Sequence, residues 1–298
     1  MTQGAPNGSR PTSAVWLVGY DGSENSRHAA LWAASHVDGR ADELRFVTAW
    51  HAPVSAAYPT PSRLPPDLAN DIEAGAWRHV NALADSFRST VDVPITTAVG
   101  CGDASDLLLD AAPRQGAIVV GSRGRGGFAR LVLGSTSTQI ATHAEIPTVV
   151  VPFETRVDAL DRIVVAIDGS TNSLAALDWA IDSAAVGARL DCVMVWDVSP
   201  IAFGSDQVAI PEASGAAESR LEHLVATRSS RRSDVALTQH FIEGSARHEL
   251  RRLADDADLL VMGARGHGAV GAALLGSVST WLLHHARVPM VVVPATAG

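Results

Sequence analysis

Two glycine-rich stretches carry the residues best suited to holding an anion. The first, residues 121–135, reads G-S-R-G-R-G-G-F-A-R-L-V-L-G-S, and the second, residues 263–277, reads G-A-R-G-H-G-A-V-G-A-A-L-L-G-S. In each, two residues separate the first pair of glycines, nine precede the next fixed glycine, and a serine follows. The positions are Gly121, Gly124, Gly134, Ser135 and Gly263, Gly266, Gly276, Ser277, offset throughout by 142 residues (263 − 121). Each stretch follows a short apolar run and precedes a helical pattern, which makes it a strand-to-helix turn. Such a turn suits phosphate: glycines adopt positive φ, which costs other residues about 1–2 kcal/mol, and they let oxygens approach backbone amides. The helix start that follows adds free N–H groups and a dipole term of about 0.3–1 kcal/mol. Arg123, Arg125 and Arg130, and Arg265 in the second copy, supply positive charge. A second turn recurs as well, Asp-Gly-Ser at 21–23 and at 168–170.

Composition narrows the chemistry. All 23 basic residues are arginine. The absence of lysine removes Schiff-base catalysis and the G-x-x-x-x-G-K-[ST] phosphate loop. A net charge of −9 argues against nucleic acid as partner, including through the Arg-Gly-Arg-Gly-Gly of 123–127. Cys101 and Cys192 have neither metal-ligand nor disulfide spacing. The adjacent His284 and His285 diverge on a helix and make no metal pair. No apolar run reaches the roughly 18 residues of a membrane span. Residues 1–13 read as a disordered lead-in without a signal-peptide core, so the expected location is the cytoplasm.

The positioning elements alternate. Apolar runs at 15–20, 44–50, 93–99, 117–120 and 147–152 are separated by helical patterns at 26–37, 68–87, 103 onward and 136–143. The order recurs from 163 onward, with a helix at 216–228 and a final strand within 289–294. This alternation predicts an α/β fold with a parallel sheet and helices on both faces, duplicated into two domains, 14–154 and 160–296, joined by a linker at 153–161. The proline-rich segments 53–66 and 200–211 read as loops, the first a candidate flap. The matched Trp32, Trp50, Trp179 and Trp196 are assigned to packing. T-V-V-V at 148–151 and M-V-V-V at 290–293 would aggregate as open edges, so the halves are expected to pair there as an intramolecular pseudo-dimer.

In an open parallel sheet, ligands bind beyond the carboxyl ends of the strands. A dinucleotide fingerprint would place its glycines after the first strand; here they follow the fourth. The motif G-2x-G-9x-G-[S/T], with an aspartate after the first strand, resembles that of the ATP-binding universal stress proteins. The chain is similar to the tandem, mycobacterial-like type from about residue 15 to 294. The resemblance implies two Rossmann-like domains, each a five-stranded parallel sheet of order 3-2-1-4-5, and one adenine nucleotide per domain. That nucleotide is expected to be ATP, with Mg or Mn on its phosphates.

Carried over by motif, the first site comprises Gly19, Asp21, Ala49, Gly121, Ser122, Arg123, Gly124, Arg125, Gly126, Gly127, Gly134, Ser135 and Thr136. The second comprises Ala166, Asp168, Val195, Gly263, Ala264, Arg265, Gly266, His267, Gly268, Gly276, Ser277, Val278 and Ser279. The second copy has His267 for Arg125, Ala269 for Gly127 and Ala166 for Gly19, so weaker or more pH-dependent binding is expected there. With no lysine and no general base fixed by the motif, a nucleotide-dependent regulator of stress response or growth with an unidentified protein partner is the favoured function. A slow ATPase or phosphotransferase and a nucleotide-free scaffold are the alternatives. A homodimer is compatible with either.

Overall fold

A computed structural model of the chain describes residues 14–51, 65–124, 133–153, 155–157, 160–197, 209–266 and 275–295. The first half runs β1 (Val15–Gly19), α1 (Glu24–His36), β2 (Glu43–Trp50), α2 (Pro66–Phe87), β3 (Ile95–Cys101), α3 (Ala104–Asp110), β4 (Gly116–Gly121), α4 (Ser135–His143) and β5 (Thr148–Val151). The second runs β6 (Arg162–Ala166), α5 (Thr171–Ser183), β7 (Arg189–Trp196), α6 (Ala209–Ser229), β8 (Ala236–Glu243), α7 (Ala246–Ala254), β9 (Leu259–Gly263), α8 (Ser277–His285) and β10 (Met290–Val293). The α6 helix starts earlier than the expected residue 216. Pro211 does not prevent this, because N–H groups of the first turn have no helical acceptor to lose. The 53–64 part of the candidate flap lies outside the described residues.

The two expected five-stranded sheets are one continuous sheet, ordered β3-β2-β1-β4-β5-β10-β9-β6-β7-β8. Within each half the order 3-2-1-4-5 holds and all pairs are parallel. The halves join through one antiparallel pair, with Met290 opposite Val150, Val291 opposite Val149 and Val292 opposite Thr148. Both edges predicted to be hazardous are therefore covered, each by the other, and all eight of their residues are buried.

Alternation along the strands sends side chains into two cores that each span both halves. On one face Trp16, Val18, Val165 and Val261 meet α1, α2, α5 and α6. On the other, Leu17, Ile118, Val164 and Leu260 meet Leu108 of α3, Ile140 of α4, Leu250 of α7 and Leu282 of α8. Burial on both faces explains the nearly unbroken apolar runs of the central strands. Small residues on α1 (Ala29, Ala30, Ala33) and α5 (Ala176, Ala180) let these helices lie close to the sheet, with Trp32 fully buried and stacked on Trp16. Ser23 and Ser170 cap α1 and α5 by accepting from the N–H groups of Ser26 and Ser173.

Candidate functional site

Adjacency of β1 and β4 brings the Asp-Gly-Ser turn against the glycine loop in each half. Gly22 and Gly169 take positive φ (82° and 83°), which lets the chain reverse after β1 and β6. Asp21 Oδ1 accepts the Ser23 N–H at 2.9 Å, and Asp168 Oδ1 accepts that of Ser170 at 2.9 Å. The other carboxylate oxygen faces the loop. A Cβ on Gly124 would lie 2.6 Å from Asp21 Oδ2, and one on Gly266 would lie 2.3 Å from Asp168 Oδ2.

Of the two roles expected for the glycines, positive φ is not found at the described motif positions. None of Gly121, Gly124, Gly134, Gly263, Gly266 and Gly276 has positive φ. Gly121, Gly124, Gly263 and Gly266 are required for close approach, whereas a Cβ on Gly134 would make only ordinary contact. A Cβ on Gly121 would sit 2.9 Å from the Asn25 carbonyl oxygen, and one on Gly263 would sit 2.7 Å from the Asn172 carbonyl carbon. Both lie under the distance that real Cβ atoms tolerate. Turn geometry and close packing leave the same glycine in the sequence, so the two causes could not be separated there.

The loop closes on itself around a helix start. Gly134 N–H donates to the Ser122 carbonyl at 2.7 Å and Gly276 N–H to that of Ala264 at 2.8 Å. Ser137 Oγ donates to the Gly121 carbonyl at 2.6 Å and Ser279 Oγ to that of Gly263 at 3.1 Å. These bonds fix α4 and α8 to the ends of β4 and β9. Gly134 and Gly276 occupy the N-cap positions, and no side chain caps either helix. The first N–H groups of both helices thus face the loop side, where an anion is stabilised.

In the first half these parts surround a cavity of about 900 Å³ at the carboxyl ends of the strands. Gly19, Asp21, Ala49, Gly121, Arg123, Gly124, Gly134, Ser135 and Thr136 all line it. Ser122 is buried beside it, its N–H donating to the Val151 carbonyl at 2.8 Å. Arg125, Gly126 and Gly127 lie outside the described residues. Val47, Leu107, Leu108, Val120 and Leu133 supply apolar lining, and Trp50, His51 and His79 line it as well. Trp50 is thus a cavity residue and not only packing, because β2 ends at the rim. Sequence reading missed the contributions of α2 and α3 altogether, since helix orientation over a sheet leaves no local motif. At the start of α3, Asp103 accepts the Ser105 N–H at 2.8 Å, and its bond from the Ser105 hydroxyl, the largest influence, holds its carboxyl below the usual range.

The second half repeats the scaffold with different contents. Ala166 and Val195 are packed with the sheet core, and Gly263, Ala264, Arg265, Gly266, Gly276, Ser277, Val278 and Ser279 follow the loop-to-helix path of the first half. Ser170 Oγ donates to the Arg265 carbonyl at 3.4 Å, tying the aspartate turn to the loop. From α6, Arg220 Nη2 donates to the Gly169 carbonyl at 3.0 Å and holds its guanidinium against that turn. His267 and Gly268 lie outside the described residues. Among the described residues, no group of three or more His, Cys, Asp or Glu could hold a metal ion, and no helix is long and apolar enough to cross a membrane.

A duplicated parallel sheet with a glycine loop beside an aspartate turn in each half defines the class. Residues 16–152 and 159–294 each match the profile of the universal stress protein family. The chain belongs to that family. It is 30% identical over 293 residues to a universal stress protein of Mycolicibacterium smegmatis, covering 93% of this chain and 96% of the relative. It is also 30% identical over 300 residues to one from Mycobacterium tuberculosis H37Rv, covering 93% and 95%. The solved universal stress protein of Archaeoglobus fulgidus shares the fold with a TM-score of 0.68 at 17% identity, over 94% of this chain and 98% of that one.

Proposed function

We propose that the protein binds one adenine nucleotide, ATP, in each of two domains, 14–154 and 160–296, and acts in the cytoplasm as a nucleotide-dependent regulator of stress response or growth. The observation that carries this reading is the cavity of about 900 Å³ between the Asp21 turn, the Gly124 loop and the uncapped start of α4. Its size falls within the roughly 300–1,000 Å³ of small-molecule sites. Its polarity is divided as a nucleotide requires. Val47, Ala49 and Leu108 would face the base, Asp21 the ribose, and the backbone of Gly124, Ser135 and Thr136 with Arg123 the phosphates. Mg or Mn would be carried on the phosphates. In the second domain, Asp168, Gly266, Arg265 and Ser277 take the matching roles. Nucleotide state would then set the loop conformation that a protein partner reads.

The test is to purify the protein from cells, denature it, and identify the released nucleotide by chromatography. One ATP for each domain is the expected result. Protein that carries no adenine nucleotide, even after incubation with ATP and Mg, would overturn the reading.

A further inference from the structure

A second cavity, of about 340 Å³, lies at the seam between the halves. The first half contributes Ser122, Arg123, Val150, Pro152 and Phe153, and the second contributes Leu283, Ala286, Arg287, Val288 and Met290. Among the described residues lining it there is no carboxylate. The ionisable side chains among those described residues are Arg123 and Arg287, one from each half. Neither forms an ion pair or hydrogen bond with a described residue, and Arg123 Nε is buried without an acceptor among them. In a chain of net charge −9, two arginines that face a common cleft without a carboxylate stand out. Buried guanidinium N–H groups are costly to leave unpaired, so the cleft is short of an anion.

The internal repeat sharpens the point. At the 142-residue offset Arg123 matches Arg265, but Arg287 matches Glu145. The positions equivalent to the two arginines in the opposite halves are therefore Arg265 and Glu145, an arginine and a glutamate. Val150, Leu283, Val288 and Met290 add apolar lining beside Ser122, and Phe153 is 41% exposed.

We infer that the seam cleft is a binding site for a small phosphorylated or carboxylated molecule with an apolar body. Its anionic group is held between Arg123 and Arg287, and its body lies on Val150, Met290 and Phe153. Guanidinium groups suit either anion through paired N–H donors. Arg123 also lines the first cavity, so an anion in the seam draws on the same guanidinium. That coupling rests on the proposed nucleotide site; the seam site itself does not.

Phenyl phosphate, titrated into the full-length protein, is the probe. Calorimetry is expected to show saturable binding that weakens about tenfold or more in Arg287→Glu and partly survives in Arg287→Lys. Chemical-shift mapping on the wild-type protein is expected to move the amides of Phe153 and Val288 more than those of Ser135 and Thr136. No saturable binding, undiminished binding in Arg287→Glu, or shifts confined to the start of α4 would each overturn the site. Where the seam binds phenyl phosphate and ATP does not bind at all, the nucleotide reading fails and the seam site stands.

Discussion

Replacing Gly124 by alanine separates a ligand-facing role for the loop from a structural one. The added Cβ would meet Asp21 Oδ2 at 2.6 Å, so the carboxylate must move away. It is not free to do so without cost, since Asp21 Oδ1 is held by the Ser23 N–H at 2.9 Å. The methyl also occupies the space through which phosphate oxygens would reach the loop backbone. Losing one charge-assisted hydrogen bond costs about 1.5–3 kcal/mol, equivalent to roughly 10- to 150-fold in affinity. Because the clash is with the end of a side chain, the fold should lose less than about 1 kcal/mol. Gly121→Ala is the internal comparison. Its Cβ would lie 2.9 Å from the Asn25 carbonyl oxygen, and α1 would have to shift on the sheet. Overpacking of that kind costs about 1–3 kcal/mol. The assays are ATP titration by calorimetry and urea unfolding of both variants. Wild-type ATP affinity in Gly124→Ala, or a stability loss as large as that of Gly121→Ala, would refute the argument.

Three further outcomes follow from the structure. Asp191 on β7 is fully buried and receives hydrogen bonds from Arg162 and Arg189, both at 2.7 Å, with His240 Nε2 at 3.1 Å. Burial raises its pKa, yet these bonds from Arg162, His240 and Arg189 prevail and hold it low. Its contribution is thus full above the unfolded-state value of about 3.9 and lost as pH falls through the lower folded-state value. Asp191→Asn should be less stable than wild type in urea at pH 7, with the gap closing below about pH 4; a gap constant with pH would contradict this. Cys192 is buried and its thiol is pushed up to about 12, first by burial and then by Asp191, whereas Cys101 is exposed. A thiol reagent at pH 8 should therefore modify Cys101 quickly and Cys192 only on unfolding, which peptide mapping can read. Finally, ATP titration of Gly266→Glu and Gly124→Glu, which leave the first and second sites intact respectively, should show weaker or more pH-dependent binding at the second. Equal affinity and equal pH response would refute the asymmetry.

What could be read in the sequence was whatever repeats locally. Gly121, Gly124, Gly134 and their copies at Gly263, Gly266 and Gly276 declared the loop, and Asp21 and Asp168 declared the facing turn. The uncharged T-V-V-V and M-V-V-V strands revealed that the halves must cover each other, because an apolar edge has few other stable fates. Features created by packing were not readable. The separation of Gly22 and Gly169, which need positive φ, from Gly121, Gly124, Gly263 and Gly266, which need space, requires backbone coordinates. Trp50 looked like Trp32, yet one ends at a cavity rim and the other is fully buried. Asp258 carries no sequence signal, yet its Oδ2 accepts the N–H groups of Asp161 and Arg162 and anchors the entry to the second half. The seam cleft lies where an antiparallel pair joins two parallel sheets, and nothing near Arg123 or Arg287 in the sequence indicates that both line it.

The central claim is that each domain holds an adenine nucleotide on its glycine loop. Calorimetric titration of nucleotide-free protein with ATP and Mg tests it most directly, using wild type beside the Gly124→Glu/Gly266→Glu double variant. The account predicts one ATP per domain in wild type and none in the folded double variant. An absence of binding in wild type, or undiminished binding in the double variant, would contradict it.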